Sequence, residues 1–122
     1  MTPNEFISAV RRVVFESAVN GTLSVMRKPP GRSPPENLLT TSKWFQNLAE
    51  NDKEMLRRAI AIAAHQATFG MLAVLDGARQ IEDSATKGGL ELHYVKGDRH
   101  TILNPPDAEA LHDLFNQQGM PY

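Results

Sequence analysis

Apolar positions in the first twenty residues recur at the spacing of an amphipathic helix, with polar side chains opposite them. Thr2, Pro3 and Glu5 give this helix a capping-box start, because a hydroxyl and a carboxylate can satisfy backbone N–H groups that lack partners there. Gly21 is predicted to end it near residue 20, since glycine adopts the left-handed conformation of a helix end at little cost. The positions predicted to face inward are Phe6, Val10, Val13, Val14 and Ala18, with Ile7 and Phe15 on the flank.

The longest apolar stretch predicts a helix over about residues 52–75, with Asn51 as its N-cap. Beyond Ala59 this helix is apolar on nearly every side, although polar interruptions make it a poor membrane span. We therefore expect a central buried helix around which the other helices pack. An unpaired charge introduced into it, as in Ala63→Asp or Leu72→Asp, is expected to abolish folding.

The pattern changes after residue 77 from helical spacing to an alternation of apolar and polar positions. Three short runs separated by glycine-containing turns predict a three-stranded antiparallel β-meander over about residues 78–103. The fold class is therefore α+β, with helices around the central helix, the meander on one side, and a single domain over residues 1–122. A short C-terminal helix closes the chain, with an inward stripe of Ala108, Leu111, Leu114 and Phe115.

Four of the eight prolines lie within residues 27–35, which leaves neither a helix nor a central strand there. The favoured interpretation of this stiff segment is an ordered strap across the central helix, whose arginines pair with acidic residues of the C-terminal half. The alternative is a docking surface for an acidic partner or a phosphate, because the segment presents basic side chains at a low entropic cost. A further helix is predicted to begin near residues 40–42, with Trp44, Phe45 and Leu48 inward. The candidate binding residues are Arg27, Lys28, Arg32 and Pro34.

The composition excludes several kinds of chemical site. The chain has no cysteine, which excludes disulfides, thiolate zinc sites, iron–sulfur clusters and cysteine nucleophiles. The net charge of −1 weighs against a dedicated nucleic-acid binder. Residues 1–43 nevertheless hold six basic side chains and three acidic ones, which indicates either attraction between the two halves or a basic docking face. No secretory signal or membrane span is recognised, so a cytoplasmic location is expected.

Histidines supply the first candidate chemical site. If Lys96 and Gly97 form a two-residue hairpin turn, His93 faces His100 across the strands. Glu91 then lies on the same face, and two imidazoles with one carboxylate suit zinc or iron. The favoured interpretation is a solvated cross-strand pair without a metal, and the metal site is the alternative.

His65 and Asp76 form the second candidate. A histidine within an apolar stretch is most often a core residue, but beside a cleft it could act as a general base. Asp76 opposes the dipole at the end of the long helix, so it needs a compensating partner such as Arg79 or a loop N–H group. His112 and Asp113 are expected to point in different directions around their helix and to form no dyad.

Three functional hypotheses remain. The sequence holds no phosphate-binding loop, dinucleotide fingerprint or nucleophile elbow, so we expect no cofactor and favour a non-enzymatic interaction or regulatory domain. Its partner is expected to be another protein with an acidic surface, or a second copy of the chain. The first alternative is a small enzyme or a ligand-binding or metal-binding domain that uses one of the histidine candidates. The second is a nucleic-acid-associated protein, which needs one face formed by Arg11, Arg12, Arg27, Lys28 and Arg32.

Overall fold

The computed structural model describes residues 1–122 and consists of four helices and one small antiparallel sheet. The first helix comprises three consecutive segments, and the mixed helix-and-sheet class predicted from the sequence is confirmed. The elements in chain order are α1 (Pro3–Val10), a π-helical segment (Arg11–Glu16), α2 (Ser17–Arg27), α3 (Glu36–Gln46), α4 (Glu50–Leu75), β1 (His93–Lys96), β2 (Arg99–Ile102) and α5 (Leu111–Gln117).

The first helix starts as predicted and ends later than predicted. The Thr2 hydroxyl accepts a hydrogen bond from the Glu5 N–H at 3.1 Å, and the Glu5 carboxylate accepts from the Thr2 N–H at 2.9 Å. Gly21 lies in the interior of α2 without a positive φ, so it does not end the helix. A glycine inside a helix costs only about 0.5–1 kcal/mol, and burial of Val19 and Leu23 on either side offsets that cost.

The π-helical segment turns the inward face of the first helix. A π turn holds more residues than an α turn, so side chains within and after the segment are rotated about the helix axis. Val13 is consequently 61% exposed, and Val14 also faces solvent, against the prediction that both face inward. The buried positions of the first helix are instead Ile7, Phe15, Val19 and Leu23.

Helix α3 begins directly after the last proline of the loop, earlier than predicted, and packs against α2. The Ser42 hydroxyl, which is buried, donates a hydrogen bond to the Met26 carbonyl at 2.6 Å. This bond satisfies one of the carbonyls left unpaired at the end of α2. Phe45 is buried as predicted, whereas Trp44 is 53% exposed. The Pro-rich loop therefore closes a helical hairpin.

Helix α4 has the predicted extent, although its N-cap is Ala49 rather than Asn51. No side chain caps this end. The acidic residues of the first turn are stabilised there by the positive end of the helix dipole. At the other end Gly77 has a φ of 77°, and the Ala78 N–H donates to the Ala73 carbonyl at 2.9 Å. These features form a Schellman motif and confirm the predicted end of the helix.

Only one face of α4 is buried, so the prediction of a helix buried on every side is wrong. The first helix and α5 pack against the same side of α4 and leave the opposite side uncovered. Leu72 faces the core, whereas Ala63 faces solvent. The reason given for expecting Ala63→Asp to abolish folding is therefore wrong.

The sheet has two strands, because residues 79–83 form no third strand. Ile81 is the only apolar residue of that run and is 71% exposed, so a strand there has no hydrophobic face to bury. Asn104 holds this part of the chain in another way. Its amide nitrogen donates to the carbonyls of Leu75 at 2.7 Å and Leu90 at 3.0 Å, and its amide oxygen accepts from the Leu92 N–H at 2.7 Å.

Helix α5 completes the core by packing on α1 and α4. Its predicted stripe is confirmed at Leu111, Leu114 and Phe115, whereas Ala108 is exposed ahead of the helix. The core cluster lies between the first helix, α4 and α5, with Phe45 contributed by α3. Its members are Ile7, Phe15, Val19, Leu23, Phe45, Ala61, Leu72, Leu111, Leu114 and Phe115.

Candidate functional site

His65 lies inside the core among aromatic side chains. Its ring stacks on Phe115 at a centroid distance of 4.9 Å and meets Phe15 edge-on at 6.0 Å. The residue is 2% exposed, and its Nε2 atom has no hydrogen-bond partner. Burial, and secondly the charge of Arg11, lower the pKa of His65, so the ring is neutral near pH 7. In this position the ring packs against the core and has no open path to a substrate.

Arg11 joins the π-helical segment to the C-terminal end of α5. Its guanidinium donates to the carbonyls of Phe115 and Gly119, each at 2.8 Å, and lies 4.6 Å from the centroid of the Phe115 ring. Burial lowers the pKa of Arg11 from its ordinary value. Because these contacts turn Arg11 inward, the basic face of five residues that the nucleic-acid hypothesis needs is not formed.

A cavity of about 270 Å³ lies between the first helix and α4. Phe15 and Ala61 line its floor, and Arg58 and Pro121 lie at its edge. His65 is not among the residues that line it. The cavity thus offers no contact between a bound molecule and the histidine of the second candidate site.

The structure does not bring His65 and Asp76 together. They lie eleven positions apart along α4, which corresponds to about 16 Å along a helix axis. Asp76 instead accepts hydrogen bonds from the His112 backbone N–H at 2.9 Å and from its ring Nδ1 at 2.7 Å. These bonds place the carboxylate at the first turn of α5, where an anion is stabilised. The compensating partner of Asp76 is therefore α5, rather than Arg79.

His112 and Asp113 approach each other, against the expectation that they diverge. The His112 Nε2 atom lies 3.6 Å from an Asp113 carboxylate oxygen, and the ring meets Phe69 edge-on at 5.4 Å. Asp113 is exposed, while His112 is mostly covered. The arrangement orients the imidazole and links α4 to α5, but it brings no nucleophile to the ring.

The hairpin does not form the predicted histidine pair. Val95 lies opposite His100, and His93 lies opposite Ile102, two positions away from the predicted register. A shift of two residues keeps both imidazoles on the same face of the hairpin, but it makes them diagonal neighbours rather than a directly opposed pair. His93 instead contacts Glu91 at 2.9 Å. No group of three or more histidine, aspartate or glutamate side chains is placed to hold a metal ion.

The basic loop between α2 and α3 presents its cations to solvent. Arg27, Lys28 and Arg32 are exposed and take part in no ion pair. Pro34 is half-buried between them and α3. The favoured interpretation, a strap held by ion pairs to the C-terminal half, is therefore wrong, because none of these cations forms an ion pair.

The uncovered side of α4 carries a row of apolar side chains at four-residue spacing. We call it the α4 ridge, and all of its members are exposed. Residues spaced by four form a continuous ridge on a helix, which is the surface that packs into a groove of a neighbouring helix. The large residues at its two ends are each 59% exposed, and the small ones lie between them. The ridge consists of Met55, Ala59, Ala63, Ala67 and Met71.

The charged side chains of α4 itself flank the ridge only at its N-terminal end. Arg57 donates two hydrogen bonds to Glu54, at 2.9 and 3.0 Å, and these bonds lower the pKa of Glu54 to about 2. From residue 59 to residue 75 no charged residue occurs. Helix α4 is long and apolar enough to cross a membrane by length and composition, a test that core helices of soluble proteins also pass. Here 28% of the apolar window is buried inside the fold.

The chain exposes more surface than its size predicts. Its accessible surface is 8509 Å², against about 6,500 Å² expected for a compact monomer of 13.5 kDa. Residues 77–91, all of which are exposed, account for part of the difference. The uncovered face of α4 and the exposed valines of the first helix account for another part.

Comparison with known protein families, curated proteins and solved structures finds no match to this chain. The candidate site therefore rests on geometry alone. The sequence reasoning missed the α4 ridge because it assigned the whole apolar stretch to the core. One signal was visible, since alanines at four-residue spacing between two methionines are small for a helix face that fills a core.

Proposed function

We propose that this chain is a protein-interaction module and that the α4 ridge is its main binding surface. The observation that carries the proposal is the ridge itself, an exposed apolar face without charge from residue 59 to residue 75. Soluble monomers rarely leave such a face open, because apolar surface in water is unfavourable by roughly 25 cal/mol per Å². A partner that covers the ridge removes this cost.

The composition of the ridge suits a protein partner. Methionine side chains adapt to the shape of an opposing surface, and alanines allow two helices to approach closely. The histidine candidates support an enzyme less well, because His65 is enclosed and His93 does not lie opposite His100. An interaction role therefore explains the exposed α4 ridge, which a catalytic role at these histidines leaves unexplained.

The basic loop is proposed as a second contact for an acidic partner. Arg27, Lys28 and Arg32 have no partner within the chain, and three unpaired cations on one short loop attract an acidic surface. The contact predicts that the variant Arg27→Ala/Arg32→Ala loses partner affinity with a change in unfolding free energy below about 0.5 kcal/mol. A loss of stability above about 1 kcal/mol contradicts it.

The test is site-specific photo-cross-linking in the cells that produce the protein. A photoreactive amino acid replaces Ala63 at the centre of the ridge, and the same amino acid replaces Ala18 in a matched control. Ala18 is an exposed alanine of α2 outside the ridge. We expect a covalent protein adduct from position 63 and little or none from position 18. Equal yields from the two positions, or adducts with lipid only, overturn the proposal.

A further inference from the structure

We propose that the occupant of the α4 ridge is a second copy of this chain, bound antiparallel about a two-fold axis near Ala63. This inference rests on the proposed function, because it names the partner of the same surface. Three observations carry it: the surplus of exposed surface, the symmetry of the ridge, and the positions of two unpaired charges.

The surplus of exposed surface is large enough to include a homodimer interface. The chain exposes about 2,000 Å² more than a compact monomer of its mass, and the exposed residues 77–91 contribute part of this surplus. Obligate homodimers bury roughly 1,000–2,500 Å² on each chain, whereas weak encounters bury less than about 600 Å². A dimer that covers the ridge and part of its surroundings removes the share of the surplus that belongs to α4.

The ridge is symmetric about its central residue. Met55 and Met71 lie eight positions before and after Ala63, with one alanine between each methionine and the centre. Two helices that pack by ridges of this spacing cross at about −50°, so they are closest at the crossing point and diverge from it. Small side chains fit the crossing point, and large ones fill the widening space at either end. An isologous interface requires such self-complementarity.

Two unpaired charges favour the antiparallel arrangement. The Arg79 side chain lies against Gly70 near the C-terminal end of the ridge, and it forms no ion pair within the chain. Asp52 is exposed in the first turn of α4 and also lacks an ion pair. An antiparallel second copy brings its acidic first turn toward Arg79, whereas a parallel copy brings two acidic turns together.

The chain lends itself to a direct test because it contains no cysteine. In the variant Ala63→Cys, the introduced thiols of the two copies meet at the proposed axis. We expect mild oxidation to yield a disulfide-linked dimer from Ala63→Cys and at most traces from the control Ala18→Cys. A mixture of Ala59→Cys and Ala67→Cys, treated with a short thiol-reactive cross-linker, should give mainly the mixed product. Products that join position 59 to 59 and position 67 to 67 overturn the antiparallel arrangement.

Sedimentation equilibrium of the unmodified chain supplies the second readout. We expect twice the chain mass at micromolar concentration, and a dissociation constant at least about 100-fold higher for Ala63→Glu, which places two like charges face to face. A monomeric chain overturns the dimer. If that monomer still forms a protein adduct from position 63 in cells, the interaction module stands with a different partner. Binding of the monomer to phosphatidylcholine vesicles without a protein adduct overturns both proposals.

Discussion

At the scale of single residues, two glycines test where the helices end. Gly21 has helical geometry with no atom within 4 Å of an added Cβ, whereas Gly77 has a φ of 77°. Gly21→Ala should therefore raise the free energy of unfolding by about 0.5–1 kcal/mol. Gly77→Ala should lower it by about 1 kcal/mol, because alanine is strained in the left-handed region. Urea denaturation measures both changes in stability. A loss of stability in Gly21→Ala would indicate that the first helix ends near residue 20, as predicted from the sequence.

His65 gives the chain a pH-dependent stability of known sign. Its pKa in the folded state is lowered by burial and by Arg11, whereas the unfolded chain has the ordinary value of about 6.5. As the pH falls below that value, the unfolded state binds a proton that the folded state does not, so stability decreases with acidification. Urea midpoints at about pH 7 and pH 5 should differ less in His65→Leu than in the unmodified chain. His100→Gln, at an exposed histidine, serves as the control and should keep the full difference.

Single residues also show where local rules sufficed. The capping box at Thr2 and the end of α4 at Leu75 are predicted correctly, because both depend on a few neighbouring residues. Asp76 was recognised as misplaced at a helix C-terminus, but its partner His112 is 36 positions away. A contact over that distance depends on how α4 and α5 pack, which no local pattern specifies. The same applies to Arg11, whose partners lie at the other end of the chain.

At the scale of elements, the two faces of α4 behave differently. Leu72 is 3% exposed, so Leu72→Asp buries an unpaired charge and should unfold the chain. Ala63→Asp places its charge outside the core formed within one chain, so the folding of that single chain loses mainly helix propensity, about 0.5–0.7 kcal/mol. Far-ultraviolet circular dichroism should show a native helical spectrum for Ala63→Asp and an unfolded one for Leu72→Asp. Loss of helix in both variants would show that α4 is buried on all sides, as the sequence predicted.

The errors at this scale share a physical origin. The apolar pattern of residues 52–75 located a helix correctly, but composition alone does not say how many neighbours are available to cover it. The π-helical segment rotates the inward face of the first helix, and no pattern in the sequence predicts this segment. Residues 79–83 alternate in polarity, but Ile81 is their only apolar residue, so a strand there would have no hydrophobic face to bury. The register of the hairpin differs from the predicted one by two residues, so His93 and His100 are not directly opposite each other.

At the scale of the whole molecule, self-association should make thermal stability depend on concentration. A dimer that dissociates on unfolding is stabilised by mass action, so each tenfold increase in chain concentration should raise the melting temperature by a few degrees, on the order of 2–5 °C. Ala63→Glu should melt at a temperature independent of concentration, since the core formed within one chain lies on the opposite face of α4. Ala18→Glu, outside the ridge, should keep the dependence. Differential scanning calorimetry over a hundredfold range of concentration measures all three, and an invariant melting temperature for the unmodified chain contradicts the dimer. The α4 ridge would then remain an exposed apolar face, and the cross-linking from position 63 would decide whether another protein covers it.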